Sequence, residues 1–206
     1  MRMDPLIRDQ RLLDALESVV QEPYEGIVWR SVKEGRDPLI CSRSGGRWDD
    51  GTFDVLYTSE TRDAAIAERR YHLYQGQPIP PVDINYELFE LSVSLSAVIR
   101  FPDVGALAAV SLDAASIGHL TYVKRYGEYT RSQQVAEASA FLGADGILAP
   151  SARHTGSLNL IVFCEQDTET SKNIVRSHRE TGEAVTAGLP RKTGNGKMQS
   201  FPLSAM

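Results

Sequence analysis

The sequence predicts a single α+β domain in which a mixed, largely antiparallel sheet is flanked by helices. Three observations carry this. Leu91, Val93 and Leu95 alternate with Ser92, Ser94 and Ser96, the period of a strand with one buried and one wet face, which antiparallel and mixed sheets accommodate. Apolar residues at helical spacing recur at 5–20, 61–74 and 133–141, between β-rich runs. With 206 residues, 42% of them hydrophobic, the chain can bury one sizeable core and is short for two.

The elements follow in order. Leu6, Ile7, Leu12, Leu13, Leu16, Val19 and Val20 make residues 5–20 an amphipathic helix, with Pro5 in the first turn, where a missing N–H leaves nothing unsatisfied. Its plain role is packing or capping. Gly26 precedes a β-rich run at 27–32 that fixes Arg30 on a sheet. From Lys33 to Asp54 turn formers dominate, and a connection of that length is a functional or partly ordered loop. Residues 55–59 read as a strand and 61–74 as a helix, capped by Ser59 or Thr61. Ala64, Ala67, Glu68 and Tyr71 share one side of that helix, which sets a carboxylate among small apolar residues.

Three prolines make 77–83 a linker. Residues 104–110 and 133–141 read as helices, the second stopped by Gly143. The runs at 146–150 and 158–163 pair as a hairpin around 151–157. After Glu165 the chain turns polar and ends as a loose tail, PRKTGNGKMQSFPLSAM. The organisation is a helical extension over 1–24, a folded unit over 25–165 and a polar C-terminal segment over 166–206.

Bulk properties exclude several classes. A net charge of -5 gives no general field toward nucleic acid or an anionic membrane, so any positive site is local. Cys41 and Cys164 form no C-x-x-C or zinc-like cluster, so a disulfide framework is not expected and a reducing compartment is. The start alternates charged and apolar residues, unlike a signal peptide or membrane span. Cytoplasmic residence is the simplest expectation. The histidines, at 72, 119, 154 and 178, are scattered, and no metal is expected.

The stretch SRSGGRW at 42–48 combines arginines, serines and glycines. Alone it is a glycine-arginine turn, just as Arg30 alone is a strand-end charge, Tyr57 a half-buried strand residue, Glu68 a solvated helix charge and Ser151 a turn hydroxyl. In order, however, Trp29-Arg30, SRSGGRW, Leu56-Tyr57-Thr58-Ser59, Ala64-Ala65-Ile66-Ala67-Glu68, Ala149-Pro150-Ser151-Ala152-Arg153 and Asn159-Leu160-Ile161-Val162-Phe163 resemble the RES domain family. That family is named for Arg, Glu and Ser and comprises toxins of bacterial toxin-antitoxin pairs. The resemblance spans roughly residues 25–165. It implies a fold similar to the ADP-ribosyltransferase toxins, NAD+ as substrate, and a cognate antitoxin with a helix-turn-helix DNA-binding part through which an oligomer forms. The acceptor of ADP-ribose is a protein, water or phosphate.

Carried over by position, the resemblance makes Arg30, Arg47, Tyr57, Glu68 and Ser151 pocket residues, while Arg43, Trp48 and Asn159 fit the pattern without a distinct role. The chemistry suits these residue types. Guanidinium forks meet pyrophosphate oxygens in a bidentate way, which assigns Arg30 and Arg47 to a clamp. Gly45 and Gly46, with Ser44, bring backbone N–H groups near an anion. Nicotinamide leaves as a neutral molecule, so one carboxylate suffices: Glu68 binds a ribose hydroxyl and opposes the charge of an oxocarbenium-like transition state. Tyr57 stacks on nicotinamide, and Ser151 orients the ribose or Glu68. The competing readings are a non-catalytic nucleotide-binding regulator and, further off, a ribonuclease toxin using Arg47, Glu68 and His154. A serine hydrolase is disfavoured because A-P-S-A-R is not a G-x-S-x-G elbow.

Overall fold

The computed structural model describes residues 8–74, 85–113, 125–164 and 173–180. Its elements are α1 (Gln10–Glu17), β1 (Gln21–Lys33), β2 (Asp54–Ser59), α2 (Arg62–Tyr74), β3 (Tyr86–Arg100), a 3-10 turn (Ala106–Val110), α3 (Arg125–Phe141), β4 (Gly146–Pro150), β5 (Leu158–Cys164) and β6 (Asn173–Glu180). The six strands lie in the order β1-β2-β5-β4-β3-β6, and β1 also pairs with β3. The sheet thus curls back on its own first strand, closing where Trp29 faces Ser59. Among the described strands only β3 and β4 run parallel. The α+β class and the mixed, largely antiparallel sheet follow the sequence reading.

Closure divides the core in two. Val28, Leu56, Leu91, Val93, Leu148, Leu160 and Val162 pack together inside the curled sheet. Val55, Ile147, Ile161 and Phe163 turn the other way, onto Leu12 and Leu16 of α1 and Val135 and Ala138 of α3. Successive residues of β5 therefore feed opposite cores, which explains a run apolar throughout rather than alternating. The N-terminal segment is also tied by a fork, Arg8 Nε and Nη2 donating to Glu137 Oε1 at 3.0 and 2.6 Å.

Several expectations shift. The first helix starts at Gln10, where Asp9 accepts from the Arg11 N–H at 3.0 Å; Pro5 lies outside the described residues, as does the 77–83 linker. Helix gives way after Ser18, because the following residues join the long ladder with β3, from Gln21 opposite Ile99 to Lys33 opposite Tyr86. Residues 106–110 form a single 3-10 turn rather than a helix from Val104. In the C-terminal segment read only as polar, residues 173–180 pair with β3 as β6. Residues 165–172 and 181–206 lie outside the described residues.

The two cysteines correct a further expectation. Cys41 and Cys164 are joined by a disulfide across 123 positions of sequence. Ser42 bridges to Val55, and Asp54 sits opposite Cys164 in the β2–β5 ladder. The backbone ladders thus bring together cysteines whose spacing carried no signal.

Candidate functional site

A cavity of about 630 Å³ opens between β1, β2, α2 and the loop 34–53, within the usual range for small-molecule sites. Among the described residues, Arg30, Lys33, Arg36, Arg47, Arg69 and Arg153 line it against two carboxylates, Asp37 and Glu68. A protein of net charge -5 therefore concentrates positive charge here, and anionic ligands are drawn to it.

Glu68 is held in place by contacts that begin at the helix start. Thr61 Oγ1 accepts from the Ala64 N–H at 3.2 Å and lies 3.0 Å from Ser157 Oγ, while the Glu60 N–H donates to the Leu158 carbonyl at 2.9 Å. This docks α2 on the start of β5 and directs Glu68 over the β2–β5 pair. There Asn159 Nδ2 and Ser151 Oγ both donate to Glu68 Oε1, at 2.8 and 2.9 Å. Asn159 Oδ1 in turn accepts from Ser59 Oγ at 2.8 Å, its partner across the ladder. One carboxylate oxygen is fixed twice; the other, Oε2, accepts no hydrogen bond from the described residues. Ser151 also accepts from the N–H groups of Arg153 and His154, both at 3.2 Å, so it braces the hairpin turn and Glu68 together.

The SRSGGRW loop wraps around a carboxylate of its own. Asp49 is fully buried and accepts from the Gly45 N–H at 2.6 Å, the Gly46 N–H at 2.9 Å, Tyr57 Oη at 2.9 Å and Ser44 Oγ at 3.3 Å. This corrects the expectation that Ser44, Gly45 and Gly46 offer their donors to a ligand: the anion nest is filled from within. Tyr57 likewise has its hydroxyl engaged, donating to Asp49 and accepting from the Trp48 N–H at 3.0 Å. Burial, with the Asp49 charge beside it, pushes that phenol well above its ordinary value, so it stays neutral. Its ring still lines the cavity. A Cβ at Gly46 would sit 2.7 Å from Tyr57 Oη, so this position requires glycine for close approach.

Arg30 donates from Nη2 to the Ile40 carbonyl at 2.9 Å, which ties β1 to the loop. Arg69, one residue beyond Glu68, donates from Nη2 to the Ser31 carbonyl at 2.5 Å and lies over the Tyr86 ring at 4.3 Å. Arg47 lines the cavity, its carbonyl accepting from Ser132 Oγ at 2.6 Å. Arg43 pairs with Asp54 at 2.9 Å on the exposed rim, and Trp48 is core. Arg153 stacks 3.1 Å over the Tyr71 ring at the cavity wall. No group of three metal-ligating side chains occurs among the described residues.

The RES domain family matches residues 27–183. The chain belongs to the RES domain family. None of the curated proteins matches it. Among solved structures, a chain of the M. tuberculosis MbcT-MbcA toxin-antitoxin complex is similar at a TM-score of 0.58 and 20% identity, over 82% of this chain and 92% of that one. At that identity the likeness is one of fold.

In this RES domain, Arg30, Arg47, Tyr57 and Glu68 line one cavity, and Ser151 reaches it through Glu68. Sequence reasoning missed Asp49 and Arg69 and left Asn159 without a role. Asp49 carried no clear signal, because an Asp in a turn ordinarily accepts from the N–H two residues further on, whereas here the donors precede it. Arg69 had none, since its sequence position does not say which way its long side chain runs.

Proposed function

We propose that this RES domain protein is the toxin of a toxin-antitoxin pair and cleaves the nicotinamide-ribose bond of NAD+. The observation that carries the reading is one carboxylate, Glu68, fixed through one oxygen by Asn159 and Ser151 at a cavity in which cationic side chains outnumber carboxylates. Such a carboxylate is preorganised for charge that appears only in the transition state. As the glycosidic bond lengthens, positive charge grows on the ribose, and the free Oε2 accepts from a ribose hydroxyl while opposing that charge. Nicotinamide departs neutral, so no acid is needed opposite Glu68. The Tyr57 ring forms a flat wall suited to stacking on nicotinamide, and the arginines take the pyrophosphate.

ADP-ribose passes to a protein acceptor, which would make the enzyme an ADP-ribosyltransferase, or to water or phosphate, which would make it an NAD+-degrading enzyme. The partner is a cognate antitoxin with a helix-turn-helix part, through which the toxin oligomerises, and the compartment is the cytoplasm, where NAD+ is available. No helix among the described residues is long and apolar enough to cross a membrane.

The test uses NAD+ labelled on the adenine side, with and without cell extract. Free nicotinamide with label on a protein band supports transfer, and soluble labelled ADP-ribose or its phosphorylated form supports degradation. An unchanged NAD+ peak with measurable NAD+ binding returns the non-catalytic nucleotide-binding reading. Glu68→Ala lowers turnover by roughly 100-fold or more while the protein still melts cooperatively; activity that survives this change refutes the role of Glu68.

A further inference from the structure

We propose that Arg69, together with Arg30, forms a two-guanidinium subsite for a diphosphate group, on the β1–α2 side of the cavity and apart from the SRSGGRW loop. Both residues line the cavity. Each is anchored through one nitrogen to a backbone carbonyl, Arg30 to Ile40 at 2.9 Å and Arg69 to Ser31 at 2.5 Å. Arg30 itself stands on β1, and Arg69 is anchored to the carbonyl of the next residue, Ser31, so both guanidinium groups belong to the same length of that strand. Each then keeps a buried nitrogen without a hydrogen-bond partner, Nη1 of Arg30 and Nε of Arg69.

Neither guanidinium forms an ion pair with a carboxylate among the described residues, although Arg8, Arg43 and Arg131 all do. Buried charges in proteins are normally paired, and a buried donor left over calls for an explanation. Burial and the neighbouring Arg69 charge hold the Arg30 guanidinium down to about 10, and burial lowers Arg69 as well. Arginine stays protonated at neutral pH, so two like charges stand at this site, and an anion would relieve them. A diphosphate suits it better than one carboxylate, since it spans two forks and carries charge on both phosphoryl groups.

The SRSGGRW nest, by contrast, already holds the Asp49 carboxylate, so its glycine N–H groups are engaged. Arg47 then serves the rim of the same ligand rather than its main clamp. The identity of the ligand as a dinucleotide rests on the NAD+ reading; the anion subsite itself does not.

The experiment is calorimetric titration of the full chain with ADP-ribose, inorganic pyrophosphate and adenosine. Wild type binds both diphosphates. Arg69→Met weakens both by at least tenfold and leaves any adenosine binding unchanged. Arg69→Lys, which keeps the charge without the fork, falls between, and it decides the matter if the methionine variant does not fold. Unchanged diphosphate affinity in a folded Arg69 variant overturns the proposal, as does wild type binding neither diphosphate. Binding of ADP-ribose but not pyrophosphate marks the subsite as part of a dinucleotide pocket; equal binding of both marks it as a general diphosphate site. Loss of affinity in Arg69→Met without NAD+ turnover in wild type leaves the subsite standing and the catalytic reading refuted. Turnover with an affinity indifferent to Arg69 gives the reverse.

Discussion

Replacing Asp49 by Ala should unfasten the loop that forms one wall of the cavity. Its carboxylate takes four donors: the Gly45 and Gly46 N–H groups, Tyr57 Oη and Ser44 Oγ. Ser44 and Gly45 are exposed and regain water when the carboxylate goes. The Gly46 N–H and the Tyr57 hydroxyl do not, and a buried donor left unsatisfied costs about 1–3 kcal/mol. Two such donors, each near the middle of that range, give about 4 kcal/mol of lost stability. Asp49→Asn keeps one good acceptor but turns an NH2 group toward the remaining donors, and should lose about half as much. Urea denaturation followed by tryptophan fluorescence measures both, and Trp48 places a reporter beside the lesion. For a chain of this length the alanine variant should melt roughly 8–16 °C lower. A loss under about 1 kcal/mol in Asp49→Ala would refute the reasoning, because the loop would then be held by something other than its internal carboxylate.

Other outcomes follow from the same geometry. Asn159→Ala frees one of the two tethers on Glu68 Oε1 and should lower kcat roughly 10- to 100-fold with little change in KM; steady-state kinetics on NAD+ separates this from a binding defect, which would raise KM instead. Reducing the Cys41–Cys164 disulfide removes a link across 123 positions and should destabilise the fold by at most about 5 kcal/mol, seen as a lower Tm with a thiol reductant and no change in a Cys164→Ser variant. The Arg131 hydrogen bond holds the Asp9 carboxyl below its ordinary value, so the folded state binds that proton more weakly than the unfolded state. Its stabilisation is then present above about pH 4 and lost as pH falls through the lowered folded value, and denaturation curves of Asp9→Asn and wild type should converge only at that acidic end.

How far the sequence disclosed the fold depended on whether each element was set by local pattern or by distant neighbours. The run 158–163 declared itself because both of its faces are buried, and Thr61 declared the start of α2 because a cap acts within one turn. The strand Asn173–Glu180 did not, because its polar residues become a strand only against β3. The disulfide was equally hidden, since its ends meet only after β2 pairs with β5. At the cavity, Arg30, Tyr57, Glu68 and Ser151 were singled out by the order of short motifs, which fixes positions along the chain but not directions in space. That is why SRSGGRW looked like an empty cradle, while the acid that fills it lies just beyond the motif.

The double tether on Glu68 has a consequence for how the enzyme can be arrested. Both Ser151 and Asn159 are donors to Oε1, so a glutamine in this position has only one satisfactory orientation, with its carbonyl oxygen toward them. Its NH2 group must then occupy the place of Oε2. Glu68→Gln is therefore not a neutral blank but a reversal of polarity: a substrate hydroxyl that donates to the native enzyme would have to accept from the variant, by rotating its proton away.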